Sequence, residues 1–299
     1  MIVKFNALFL KQIVVFLLIL LISASARSDS GQDISFAYLE KGLTELKDNE
    51  KQIALQLMAN ELTRNTDLHI SIKPVFTFAE MQDLIQKESI DYAILNSFHY
   101  LNHYGFFQQF ISEPVWGVQR SEFELESYVI VAQKKYADKA IKSFSNKQLS
   151  SHQPYLLMNF YLDYWVNKST GQQTQQFFKK IKYVKTASQA VLDVYFKSSD
   201  LCIVPKHIFD LTVDLNPAIL KRLTIIHQSE SLFSPVLTFT FKHVDPLIKQ
   251  ALNNNFVNFG QTPRSQQILE MFNFQAIKPI TLKQLTPMYT LFKNHQALQ

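Results

Sequence analysis

The chain has 299 residues, is 47% apolar and 18% charged, and sets 30 Lys+Arg against 25 Asp+Glu. That composition is globular and excludes a disordered chain; the length suffices for one large domain or two lobes. A single cysteine, Cys202, excludes an intrachain disulfide and any cysteine-built zinc cluster, and the six glycines never fall into a GxG or GxxxxGK pattern, which excludes a Walker A loop and a Rossmann fingerprint.

Residues 1–26 hold Lys4 and Lys11, then the ten apolar residues Ile13 to Ile22, then Ser23-Ala24-Ser25-Ala26. A bilayer core takes about 20 apolar residues in a helix, so this run is too short to span one. A basic start, a short apolar core and a small-residue end make a secretory signal cleaved after Ala26, with no cysteine behind it to carry a lipid. Without those two lysines the net charge falls from +5 to +3. No Lys/Arg run beyond two residues follows, which argues against nucleic acid as a partner.

Residues 33–39 alternate as a strand, and from Leu43 to Thr63 the apolar positions recur at helical spacing. Residues 69–76 read as a second strand, 79–87 as a short helix, and 91–95 as a mostly apolar third strand of the kind covered on both faces. Strand-helix-strand-helix-strand is the pattern of a parallel sheet with crossover helices. The apolar pattern fades across 119–127, and residues 128–132 begin a second unit. In it the expected elements are a helix near 138–148, a strand near 155–159, helices over 160–168 and 172–180, a strand over 181–185, a helix over 187–197 and a strand over 201–204. The chain returns near 228–235 to a strand at 235–241 and two amphipathic helices, 245–259 and 263–273. The expected fold is α/β and two-lobed, each lobe a mainly parallel sheet flanked by helices. Lobe 1 comprises 27–122 and 230–299 and lobe 2 comprises 123–229, with a cleft between them where such folds take ligands.

Three stretches carry a family resemblance: FTFAEMQDLIQKESIDYAILNSFHYL (76–101), KTASQAVLDVYFKSSDLCIVPKHIFDLTVDLNPAILKRLTII (185–226) and TPRSQQILEMFNF (262–274). In that order they resemble the periplasmic phosphate/phosphite/phosphonate-binding proteins, a type II periplasmic binding fold. The resemblance implies two lobes closing on a small anion that is delivered to an ABC importer, or sensed. It places ligand loops at Tyr38-Leu39-Glu40-Lys41, at Asn96-Ser97-Phe98-His99-Tyr100 and at Thr186-Ala187-Ser188-Gln189. A third loop falls at Ser150–Asn159, which has large side chains and no glycine where the family carries a Ser/Thr/Gly-rich turn.

The candidate ligand-binding residues are therefore Tyr38, Lys41, Asn96, Ser97, Tyr100, Ser151, Thr186, Ser188 and Gln189. Hydroxyls at a helix start sit beside unpaired N–H groups that favour an anion, and Thr186 and Ser188 precede the apolar periodicity of such a helix; an ordinary cap is the competing reading. Asn96 and Ser97 follow an apolar strand at its carboxyl end, and Tyr38 and Tyr100 can donate phenolic hydrogen bonds or simply pack. Trp116 near the crossing can stack on a ligand or be buried. His99 and His103 stand at i, i+4 without a third ligand, so no metal is expected. Neither a catalytic set nor a cofactor motif can be assembled. The expected protein is a monomeric, soluble, periplasmic binding protein without enzymatic activity, with an ABC permease as partner or, as the alternative that the unusual third loop favours, a membrane sensor.

Overall fold

The computed structural model describes residues 31–40, 48–120, 125–152 and 155–298; the signal segment 1–26 and Lys41 lie outside them. The first βαβαβ run reads as expected. Strand β1 (Gln32–Leu39) leads to helix α1 (Asp48–Leu62), β2 (Leu68–Val75), α2 (Phe78–Gln86) and β3 (Tyr92–Asn96). Both β2 and β3 pair in parallel with β1. Every residue of β3 is buried, as befits a strand covered on both faces.

The chain then does what its pattern did not announce. Asn96 opens a short helix α3 (Ser97–Asn102), followed by α4 (Tyr104–Phe110) and β4 (Ile111–Gln119). Pro114 inside β4 hides it from a strand reading, because proline gives no ladder donor. Gly117 is required there by close packing: a Cβ would strike the Ile280 side chain and come within 2.8 Å of Ser234 Oγ.

The second sheet begins at β5 (Tyr128–Gln133) and continues with β6 (Gln148–His152), α5 (Leu156–Thr170), α6 (Thr174–Phe177), β7 (Lys180–Val184), α7 (Ala187–Tyr195), β8 (Leu201–Pro205), α8 (Lys206–Leu215), α9 (Ile219–Arg222) and β9 (Leu223–Gln228). Three expectations are corrected here. The helix near 138–148 is instead two 3₁₀ turns, Lys134–Tyr136 and Ile141–Phe144, pinned by the buried Phe144. The strand near 155–159 is the first turn of α5, and the strand itself lies earlier, at β6. Leu157, Met158, Phe160, Tyr161 and Leu162 are all buried because α5 has neighbours on several sides, so its sequence lacks a helical polar face. The helix over 172–180 shrinks to the four residues of α6.

Strand β10 (Val236–Phe241) returns to the first sheet, followed by α10 (Pro246–Asn258), α11 (Pro263–Met271), β11 (Ala276–Ile280) and α12 (Leu282–Gln296). The strand orders are β11-β4-β10-β3-β1-β2 and β7-β6-β8-β5-β9. Both sheets are mixed, not mainly parallel: β10 runs antiparallel to β3 and β4, and β5 antiparallel to β8 and β9. The cause is connectivity. A chain that leaves one sheet and re-enters it through a second crossing meets the resident strands from the opposite direction. The two crossing segments pair with each other at Glu126 and Phe233, whose N–H and C=O groups exchange hydrogen bonds of 2.6 and 3.1 Å.

Helices α1, α10 and α11 cover one face of the first sheet over a core that includes Phe36, Trp116, Phe256 and Phe272. The other face packs in a cluster running from Leu95 and Phe107 through Phe233 to Tyr128 and Phe160, so one apolar core passes from lobe to lobe. Phe107, Phe177 and Phe178 are buried, and Phe106 packs at the edge of the cluster against Phe107. No helix among the described residues is long and apolar enough to cross a membrane.

Candidate functional site

Strand direction decides what faces the junction between the lobes. The carboxyl ends of β1 and β3 deliver Leu39-Glu40 and Asn96-Ser97 there, and the carboxyl ends of β6 and β8 deliver His152 and Pro205-Lys206-His207. Helices α3 and α8 start directly after β3 and β8, and α5 starts four residues past the end of β6.

Most residues singled out from the sequence are held by the protein itself. The Asn96 side-chain oxygen accepts from Phe98 N–H at 2.7 Å and caps α3. The Ser97 hydroxyl donates to the Ser234 carbonyl, and Ser97 N–H donates to Pro235 O at 3.2 Å. Tyr100 is buried among Tyr104, Phe107 and Phe239, with its hydroxyl accepting from Gln108 at 3.2 Å. Tyr38 is buried in the core beneath α1. Ser151 belongs to β6, and its hydroxyl donates to Asn159 Oδ1 at 2.7 Å. Its neighbour Ser150 donates to Asp193 at 2.9 Å.

At α7, Thr186 Oγ1 accepts from Gln189 N–H at 3.2 Å while Gln189 Oε1 accepts from Lys185 N–H at 3.3 Å. Thr186 thus caps the helix in the ordinary way, with Gln189 holding the residue before the cap. Thr186 and Gln189 are exposed and Ser188 is half-buried. Replacing Thr186 by alanine is therefore expected to lower stability by about 1 kcal/mol, read by urea unfolding, while leaving ligand affinity unchanged. A loss of affinity without a loss of stability would make it a ligand residue instead.

Glu40 is engaged by Lys51, whose Nζ lies 2.6 Å from Oε1. Trp116 is buried, stacked on Phe256 with centroids 4.9 Å apart, and donates to Asn253 at 3.2 Å. His103 lies flat on Phe78 at 3.5 Å, and burial together with the neighbouring His103 holds His99 below the usual imidazole range.

The residues that do converge on the junction were not legible as a motif. Arg120 leaves β4 and enters the first crossing. Its guanidinium lies 3.5 Å from Glu126 and 3.5 Å from the Tyr155 hydroxyl, and it covers the Phe274 ring at 5.3 Å. Both charged side chains are almost fully buried. Tyr155 opens α5, and His152 meets its ring edge-on at 5.2 Å. His207, the second residue of α8, is pushed down to about 4 by burial and, secondarily, by Arg120. The buried Tyr128 phenol is pushed up by desolvation and then by Glu126 and Tyr155. Neither α5 nor α8 is capped by the side chain of its N-cap residue. Their first turns thus bring the positive ends of two helix dipoles to the side of the junction where Arg120 sits.

A short way off, the lobes meet through rings. Phe98 at the start of α3, Phe292 on α12 and Phe160 on α5 have centroids 5.3–6.1 Å apart, and His295 stands against Phe160 at 5.2 Å. Chemically, the junction offers cationic and N–H donors on one flank and an apolar wall on the other. That combination suits a small anion with a nonpolar substituent.

Residues 46–285 match the family profile described as the periplasmic substrate-binding protein of phosphonate ABC transporters. No curated protein matches the chain in sequence. Among solved structures, PhnD1 from Prochlorococcus marinus in complex with methylphosphonate superposes with a TM-score of 0.61 at 14% identity, covering 89% of this chain and 99% of that one. XAC2383 from Xanthomonas citri bound to ATP gives 0.61 at 9% identity, covering 89% and 98%. The binding protein component of an ABC phosphonate transporter from Pseudomonas aeruginosa gives 0.58 at 12% identity, covering 90% and 88%. At these identities the structures establish the two-lobed fold, and the profile, spanning most of the chain, establishes the lineage. The chain belongs to the periplasmic substrate-binding proteins of phosphonate ABC transporters, a family of binding proteins and not of enzymes.

Proposed function

We propose that the protein is exported by residues 1–26 and works as a soluble, unanchored monomer that captures a small phosphonate-like oxyanion between its lobes and presents it to an ABC permease. Lobe 1 in this reading is 27–122 with 230–299, and lobe 2 is 123–229. The observation that carries it is the meeting of the α5 and α8 helix starts with the buried Arg120, which brings N–H donors and positive charge to one place. Asn96, Ser97 and Ser151 shape the floor through their internal hydrogen bonds, and Lys41, Ser188 and Gln189 are the further candidate contacts. Lobe closure is favoured to the extent that the closed state makes contacts the open one lacks. The methylphosphonate and ATP held by two structural relatives share a phosphoryl oxyanion, which sets the ligand class to try first.

A second reading keeps the fold and changes the role: a sensing or partner-binding protein feeding a membrane signalling protein. Two observations favour it. The hydroxyls of Ser97, Ser151 and Thr186 are already engaged within the chain, and aromatic rings of both lobes fill part of the junction. Calorimetric titration of the exported protein with phosphate, phosphite, methylphosphonate and ethanesulfonate separates the two. Saturable binding of at least one is expected; heat from none of them would leave the second reading standing.

A further inference from the structure

The face of the first sheet under α1, α10 and α11 is not filled. An open-sided cavity of about 40 Å³ lies over β10, and Phe36, Ala59, Trp116, Phe256 and Phe274 are among its walls. All fifteen lining residues are apolar except Thr238. Thr238 supplies an independent sign of the same space. It stands on β10, between β3 and β4 in the middle of a six-stranded sheet, paired with Ile94 and Trp116. A residue there, beneath a helical layer, belongs among the most buried, yet Thr238 is only half-buried while Leu237 and Phe239 beside it are fully covered. The layer above β10 therefore leaves room at the centre of the sheet. Protein interiors otherwise pack densely, and unfilled apolar space forfeits the dispersion contacts of its walls. Apolar walls give water few partners, and enclosed apolar cavities take up small apolar molecules.

We propose that this cavity is a binding site for a small, largely apolar molecule with one hydrogen-bonding group, which Thr238 Oγ1 meets from the floor. It lies wholly within lobe 1 and is independent of the junction and of any oxyanion bound there. Aromatic walls favour an aromatic guest that can stack or meet them edge-on.

The probes are benzyl alcohol and toluene added to the exported protein, read by thermal melts and by Trp116 emission in a Trp165→Phe background, since Trp116 and Trp165 are the two tryptophans. Both probes should raise the melting temperature saturably and change Trp116 emission. Ala59→Leu, which fills the cavity, should weaken both effects at least tenfold, and Val236→Phe fills it from β10 should the first variant fold poorly. Thr238→Val should weaken benzyl alcohol several-fold while sparing toluene. Absence of any saturable response overturns the proposal, as does a response undiminished in the filled variants. Equal effects of Thr238→Val on both probes would overturn the role of its hydroxyl.

Discussion

Replacing Arg120 by alanine is expected to destabilise the protein by about 3–5 kcal/mol, the cost of leaving a buried carboxylate without its cation. The reasoning rests on burial more than on pair strength. Glu126 is 4% exposed and the Arg120 side chain 7%, so neither regains water when the other is removed. The double variant Arg120→Ala with Glu126→Gln should recover much of the loss, because the stranded charge is then gone. Arg120→Lys should not rescue fully, since an ammonium can neither span Glu126 and Tyr155 together nor lie flat on Phe274. Urea unfolding of the three variants decides it. An alanine variant within about 1 kcal/mol of the parent would make the pair a surface-like contact.

Acid should weaken the fold before carboxylate chemistry alone would. His207 is held neutral by burial, at about 4, against about 6.5 for an unfolded histidine. Between those values the unfolded chain binds a proton that the folded chain refuses, so stability rises with pH across the window. The contribution is complete above about pH 6.5 and is lost as pH falls toward 4, on the order of 3 kcal/mol in all. Burial pushes His99, His103, His227 and His295 in the same direction. The check is melting temperature against pH from 4 to 7 for the parent and for His207→Gln. The variant should show a distinctly shallower fall; an identical slope would assign the acid sensitivity elsewhere.

The first lobe was readable because its residues obey one rule at a time. Strands β1 to β3 are apolar or alternating, α2 has a clean face, and capping threonines stand where α2 and α11 begin. Legibility failed wherever a residue served two neighbours. The run from Leu156 to Leu162 is apolar on nearly every side because α5 lies between layers, so it imitates a strand. Pro114 masks β4, and the antiparallel arrival of β10 follows from a double crossing that no local pattern records. Asn96 and Ser97 stand at a strand end as the pattern implied, yet periodicity could not say that Ser97 and Thr186 spend their hydroxyls on their own chain. Arg120 escaped notice for a different reason. A lone arginine ahead of an acid-rich, weakly patterned stretch looks solvated, and only the pairing of the crossings at Glu126 and Phe233 brings it inside.

The central claim is that an oxyanion binds where α5, α8 and Arg120 meet. The most direct test is a crystal structure of the exported protein with the tightest-binding anion of the panel at saturating concentration. The account predicts its oxygens within hydrogen-bonding reach of first-turn amides of α5 and α8 and of the Arg120 guanidinium. An anion seated elsewhere, or a junction occupied only by Phe98, Phe160 and Phe292 at saturation, would contradict it.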